Sequence, residues 1–375
     1  MSTFAARLWG EAMSGVMLVL NNMRAEGGPQ LAADLAAEWA DHNPVVALLN
    51  DDATGAEGRF DALGVPVDAL NVGRVTPLRY PQIARAFHRA FRRHRPKAVV
   101  SIPNGVHGAV FAGAACAGVR RRVVHMGNYP WHWQPHFRRY RAVMQAGAPL
   151  TPDLVCVTRH VEEGVRSHLG PVARRLHVIE NGIDLSRFPF KGAPTPALPK
   201  TPIDVAMVGR LDPGKDHPAL LEALAILMAR GVAVRLHLAG DGACGEDLKR
   251  IAKALRVAEC VRFLGAIDWV PELLRNAHVF AFAVQPEEGL GIALVEAMAV
   301  GTPVVASDVG ACREVLDGGR CGALVPPNSP AKLADAILRA ALRPDAGVVA
   351  AARRRVETTY SRAAMAAAYG ELCDL

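Results

Sequence analysis

Two series of short apolar runs, divided by a proline-dense break, leave this chain few folds to adopt. The first series reads GVMLVLN (15–21), VVALLN (45–50), KAVVSIP (97–103), RRVVHM (121–126), DLVCVT (153–158) and LHVIEN (176–181). The second reads IDVAMVG (203–209), VAVRLHLAG (232–240), CVRFLG (260–265), AHVFAFAV (277–284) and TPVVAS (302–307). Such runs are strands buried on both faces, and helical stretches between them, such as GPQLAADLAAEWADH (28–42), make the crossovers of a parallel, doubly wound α/β sheet. The break FPFKGAPTPALPKTP (188–202) holds five prolines, which suit neither a helix interior nor a central strand and read as an extended linker. The expected fold class is α/β, with two Rossmann-like doubly wound domains. The expected division is a first domain over 1–190, a linker over 191–202, a second domain over 203–355, and a closing helix over 356–375 that packs back toward the first domain.

The bulk numbers agree with a globular chain. The 375 residues are 51% hydrophobic and 21% charged, enough for two cores. No apolar run approaches the roughly 18 residues of a membrane span. GVMLVL, after Arg7 and Glu11, is too short for a secretory signal. Seven scattered cysteines without a CxxC pair argue for a reducing compartment and against a disulfide framework or a zinc site. The expected place is therefore the cytoplasm, peripherally on the inner face of the cytoplasmic membrane. The net charge of +7 lies in the first half: between Asp68 and Asp153 there is no acid, against 14 Arg and Lys. A field of one sign implies an anionic partner.

The chemistry-bearing stretch is EEGLGIALVEAMAVGTPVVAS (287–307), with Glu288 and Glu296 eight positions apart in glycine-rich, apolar surroundings. It follows a strand and leads into a helix pattern closed by Gly301, and doubly wound sheets bind ligands at that edge. Glycines there admit a ligand to the backbone, and the helix N-terminus offers N–H groups to a phosphate. A carboxylate accepts from two hydroxyls at once, which suits a sugar or ribose diol. The plainer alternative is a helix-dipole acid and a glutamate on a solvated face. MVGRLDPGKDHPALLEAL (207–224) places Gly209 and Arg210 at a strand end and Lys215 five residues on. This pair can neutralise a diphosphate without metal, or simply be a solvated basic turn.

These segments, with LHLAGDGACGEDLKRIAKAL and RFLGAIDWVPELLRNAHVFAF, resemble the retaining family-4 glycosyltransferases of GT-B fold, whose two domains face a central cleft. The likeness is strong over 176–327 and weaker at NNMRAEGGPQLAADLAAEWADH. It implies that Arg210 and Lys215, beside Gly209, bind the diphosphate of a nucleotide-sugar. It implies that Glu288 contacts the transferred sugar, that Glu296 holds the ribose, and that the backbone of Gly289, Leu290, Gly291 and Ile292 meets sugar and phosphate. Gly27 and Gly28 resemble the loop that closes over the diphosphate. His125 resembles the family's active-site histidine, its alternative being a structural strand-end residue. Leu290 and Ala293 depart from the usual Phe and Pro while the glycines are kept. The resemblance also implies retention of configuration and no metal or other cofactor beyond the nucleotide-sugar, with UDP favoured. No Asp-x-Asp metal pair is found, and Asp51 and Asp52 read as a loop-starting turn.

The acceptor is expected on the first half. PQIARAFHRAFRRHRPK (81–97) sets Ile83, Phe87 and Phe91 on one face and Arg85, Arg89, Arg92 and Arg93 on another. The apolar face reads as packing on the sheet. The missing counter-charges over 69–152 favour an anionic membrane surface and a glycan or lipid-linked acceptor. HMGNYPWHWQPHFRRYR (125–141) reads as a loop in which Trp131 and Trp133 stack on a sugar or simply pack. A small soluble acceptor, a sugar-nucleotide epimerase of similar fold and a catalytically dead sugar-binding scaffold remain as rivals. No nucleic-acid module is recognised.

Overall fold

The computed structural model of the protein describes residues 15–24, 27–51, 55–103, 105–130, 136–198 and 201–375. Arg7, Glu11, Asp52, Trp131 and Trp133, all named above, lie outside these.

The first sheet comprises β1 (Val16–Leu20), β2 (Val45–Leu48), β3 (Val67–Ala69), β4 (Ala98–Ser101), β5 (Arg121–Met126), β6 (Asp153–Cys156) and β7 (Arg175–Val178). Its order is β3-β2-β1-β4-β5-β6-β7 and every pairing is parallel. The second sheet comprises β8 (Ile203–Val208), β9 (Val234–Ala239), β10 (Val261–Gly265), β11 (Val279–Phe282), β12 (Val304–Ser307) and β13 (Ala323–Val325). It is also parallel, in the order β10-β9-β8-β11-β12-β13. These are two Rossmann-like sheets. In each the winding reverses once, at β1/β4 and at β8/β11, and such a switch point opens a crevice at the carboxyl ends of the strands.

Three elements differ from the sequence expectation. β3 and β13 are three-residue edge strands, VDA and ALV, too short to show a pattern. Residues expected in a loop enter a helix at Phe137–Gly147. Phe137 and Tyr140 pack on the first core and Met144 is buried in it, a helical spacing hidden among arginines.

The helix Tyr80–His94 buries Ile83, Phe87 and Phe91 and leaves Arg85, Arg89, Arg92 and Arg93 exposed. Before it, Leu78 is 93% exposed beside Arg79. The acids that bound the basic stretch are both paired: Asp68 with Arg93 and His94, and Asp153 with Arg175 and His177.

The chain crosses between the two sheets twice. Outbound, Lys191 donates its backbone N–H to the Val300 carbonyl at 2.9 Å, and its ammonium to the carbonyls of Arg275 and Ala277. Returning, Ile183 N–H donates to the Tyr360 carbonyl at 2.8 Å and Arg362 N–H to the Ile183 carbonyl at 3.0 Å. The helix Arg362–Cys373 follows, capped by the Ser361 hydroxyl, which accepts from Ala364 N–H. Met365, Ala366, Tyr369 and Cys373 join the same apolar cluster as Val16, Leu18 and Leu35 of the first unit. The indole of Trp39 donates to the Ala366 carbonyl at 3.2 Å.

Candidate active site

The β8/β11 switch point gathers most of the candidate donor residues. Gly209 and Arg210 follow β8, and a Cβ on Gly209 would lie 3.4 Å from the Lys215 stem. Lys215 is tied to the other side of the crevice by a backbone bridge to Val284. Its ammonium lies over the Phe282 ring, 4.7 Å from the centroid, and hydrogen-bonds the Glu288 carboxylate. The two side chains are 16% and 14% exposed, so each is largely desolvated and held by the other. Arg210 points outward, 69% exposed, and pairs with Asp212 at 2.9 Å.

After Glu288 the backbone turns sharply. A Cβ on Gly289 would lie 2.3 Å from the Gly127 carbonyl oxygen of the first unit, so only glycine permits this approach. Gly291 has φ 81° and caps the helix Ile292–Val300, with no side chain bonded to the helix N-terminus. Leu290 is buried at 5% exposure and Ile292 is 37% exposed. Among the described residues, the N–H groups of Gly289, Leu290 and Gly291 have no protein acceptor. Together with the first-turn N–H groups of the helix they form a cradle for an anion.

Glu296 lies one turn into that helix. It is half-buried, with no hydrogen-bonded partner among the described residues. Burial pushes its carboxyl up to about 7, although Arg187 and Arg59 pull the other way. Such a carboxylate gains from any hydroxyl donor that enters.

His125 is the penultimate residue of β5 and is 5% exposed. Its Nδ1 shares a 2.7 Å hydrogen bond with the Tyr369 hydroxyl, and burial pushes the imidazole down to about 4. At neutral pH the ring is uncharged. Two residues on, Gly127 is the residue that Gly289 approaches, so the histidine strand and the Glu288 loop adjoin. Gly27 and Gly28 begin the helix Gly27–Glu38 after β1. A Cβ on Gly28 would lie 3.3 Å from the Ile102 methyl, at the first switch point. Among the described residues no hydrogen bond or ion pair joins Gly27, Gly28 or Arg210 to the Glu288 loop.

Sequence reading missed four contributors to this site. Thr158 donates its hydroxyl to the Gly289 carbonyl at 2.9 Å, and His160 donates Nε2–H to the Pro286 carbonyl at 2.9 Å. Glu314 accepts from the N–H groups of Arg159 and His160 at 2.9 and 3.2 Å. Tyr369 bonds His125. The threonine was findable as a helix N-cap after a strand, since Thr158 also accepts from Val161 N–H. The others are contacts between distant segments, without a local signal. Among the described residues no three His, Cys, Asp or Glu side chains converge as a metal site would need.

Comparison with known proteins gives the family. A model described as Glycosyltransferase Family 4 matches residues 26–187, and one described as Glycosyl transferases group 1 matches residues 202–342. The chain belongs to the family-4 glycosyltransferases. The glycogen synthase of Mycobacterium tuberculosis is 32% identical over 213 residues, 56% of this chain and 49% of that protein. The phosphatidyl-myo-inositol mannosyltransferase of Mycobacterium leprae is 43% identical over 174 residues, 44% of each chain. The chain thus spans about half the length of these curated relatives. Its fold is GT-B: the crystal structure of Anabaena HepE in complex with UDP and glucose superposes with a TM-score of 0.79. That match is at 19% identity and covers 96% of this chain and 99% of that one. Among the described residues no helix of this family member is long and apolar enough to cross a membrane.

Proposed function

We propose that this chain is a retaining hexosyltransferase that needs no metal. It moves a hexose or N-acetylhexosamine from a nucleotide-sugar, with UDP as the favoured carrier, to a hydroxyl of a glycan or lipid-linked acceptor. The observation that carries the reading is the β8/β11 crevice, where Lys215 meets Glu288 beside a loop whose Gly289, Leu290 and Gly291 N–H groups have no protein acceptor among the described residues.

In this reading the diphosphate lies against Lys215, Arg210 and the N–H groups of Gly289, Leu290 and Gly291, with the Ile292 helix end behind them. The bond from the anomeric carbon to the phosphate oxygen breaks and its electron pair stays on that oxygen. The fixed positive potential stabilises the developing charge. The acceptor hydroxyl bonds to the anomeric carbon on the face the phosphate leaves, and its proton passes to the departing phosphate. Glu288 accepts from sugar hydroxyls once the diphosphate takes its share of Lys215. Neutral His125 hydrogen-bonds the sugar from the opposite wall. Glu296 accepts from the ribose diol. Gly27 and Gly28, which leave the start of their helix without side chains, flank the diphosphate from the first unit.

The acceptor side is the carboxyl edge of the first sheet. A cavity of about 630 Å³ there is lined by Asn21, Asn71 and Arg74 among others. The exposed arginines of Tyr80–His94 and the exposed Leu78 support docking on an anionic membrane from the cytoplasmic side. HepE with bound UDP and glucose supports the donor class. The lipid named in the mannosyltransferase relative supports the acceptor class.

The test is thermal melting with UDP, GDP, ADP and TDP and their sugars, on wild type, Glu296→Ala and Lys215→Met. A ligand that binds only the native state raises the melting temperature. One nucleotide should raise it in wild type, with the rise reduced or lost in both variants and unaffected by EDTA. No rise with any of them sinks the donor-site reading.

A further inference from the structure

The Glu288 loop is not held by its own half of the chain alone. Its carbonyls at Pro286 and Gly289 are bonded by His160 and Thr158, which stand at the start of the helix Arg159–Gly164 on the other sheet. A carbonyl can only accept, so in both bonds the proton belongs to the first unit. Thr158 also accepts from Val161 N–H at 3.1 Å, while its single proton goes to the Gly289 carbonyl. The His160 ring is closely confined. Tyr129 stacks on it at 4.5 Å between centroids, and Gly310 approaches so closely that a Cβ there would lie 2.2 Å from Nδ1. The Glu314 carboxylate ties the backbone of Arg159 and His160 to the second unit.

Peptide geometry turns these bonds into an orientation. In a trans peptide the carbonyl of one residue and the N–H of the next point in opposite directions. With the Gly289 carbonyl drawn to Thr158, the Leu290 N–H is turned away from Thr158, and it has no protein acceptor among the described residues. We propose that Thr158 and His160 are positioning residues: Thr158 aims the Leu290 N–H toward the phosphate site, and His160 pins the start of the same loop at Pro286. Capture of a nucleoside diphosphate then requires the two units to stand in this relative arrangement. The inference rests on the donor-site reading above and names how that site is set.

The test is calorimetric titration of UDP and of GDP into wild type, Thr158→Val, Thr158→Ser, His160→Phe and His160→Gln. Valine removes the hydroxyl and serine restores it. Phenylalanine keeps the stacking without a donor, and glutamine restores the donor. Loss of one such bond is expected to weaken the nucleotide that wild type binds by about fivefold to tenfold. The serine and glutamine variants should stay within about twofold of wild type. Thr158→Val also loses a helix cap and melts lower; His160→Phe does not, so a weakened His160→Phe with unchanged melting separates aim from stability. Wild-type affinity in both Thr158→Val and His160→Phe overturns the inference and leaves the donor site standing. Absence of UDP and GDP binding in wild type, together with no rise in melting temperature with ADP or TDP, overturns both.

Discussion

Tyr369 and His125 are 244 residues apart and share a 2.7 Å hydrogen bond, so a helix made after the whole second sheet sets the ring of a strand made before it. The tyrosine is buried and its hydroxyl is pushed well above the ordinary range by that burial, so it keeps its proton. His125 is likewise pushed down to about 4 and stays neutral from about pH 5 upward. Tyr369→Phe should lower kcat about tenfold, the equivalent of about 1.4 kcal/mol, with donor KM within twofold. Steady-state kinetics checks it; an unchanged kcat would mean the bond serves only folding.

Glu296 couples ligand binding to stability through its burial. Its carboxyl is raised from 4.5 to about 7 in the folded chain. A raised acid binds its proton more tightly folded than unfolded, so the native state loses stability as pH rises from 4.5 through 7. The loss levels off above that, at up to about 3 kcal/mol. Glu296→Gln escapes it. The variant without ligand should melt higher than wild type at pH 8 and equally at pH 4.5, while binding nucleotide more weakly. A pH series of melting curves decides this, and a difference that does not vary with pH would refute it.

Among the described residues His107 has no hydrogen-bond partner for either ring nitrogen, and it is fully buried against Phe111. Burial lowers it from 6.5 to about 4. The unfolded chain therefore takes up a proton below pH 6.5 that the folded chain refuses until about 4. Stability present above 6.5 is lost across that window. His107→Leu removes this loss and two unsatisfied polar atoms. It should stabilise the protein by about 1–2 kcal/mol at pH 7.5, and by more at pH 5. Denaturant unfolding at the two pH values measures both numbers.

Most of the fold was legible because buried parallel strands are apolar throughout. IDVAMVG and AHVFAFAV could hardly be anything else, and their order follows from the handed crossovers of the class. The edge strands VDA and ALV escaped because three residues carry no period. The strand–loop–helix turn at the crevice was legible because Glu288, Gly289 and Gly291 stand close together in the chain. The tie between Lys215 and Glu288 was not, because 73 residues separate them. The same holds for Thr158, His160 and Tyr369, whose partners are set by how two units meet. Gly289 is instructive: its glycine was read as room for phosphate, and its Cβ position is in fact filled by the Gly127 carbonyl.

The return of the helix Arg362–Cys373 to the first unit has a consequence for how the protein is made. On the ribosome the first sheet emerges early, with the groove for Met365, Ala366 and Tyr369 still empty and its apolar wall open to water. It must wait while the entire second sheet is translated. Only when residues 362–373 have emerged does His125 acquire its partner, so nascent chains shorter than this are without an oriented histidine. Assembly order thus delays chemistry until both walls of the cleft exist.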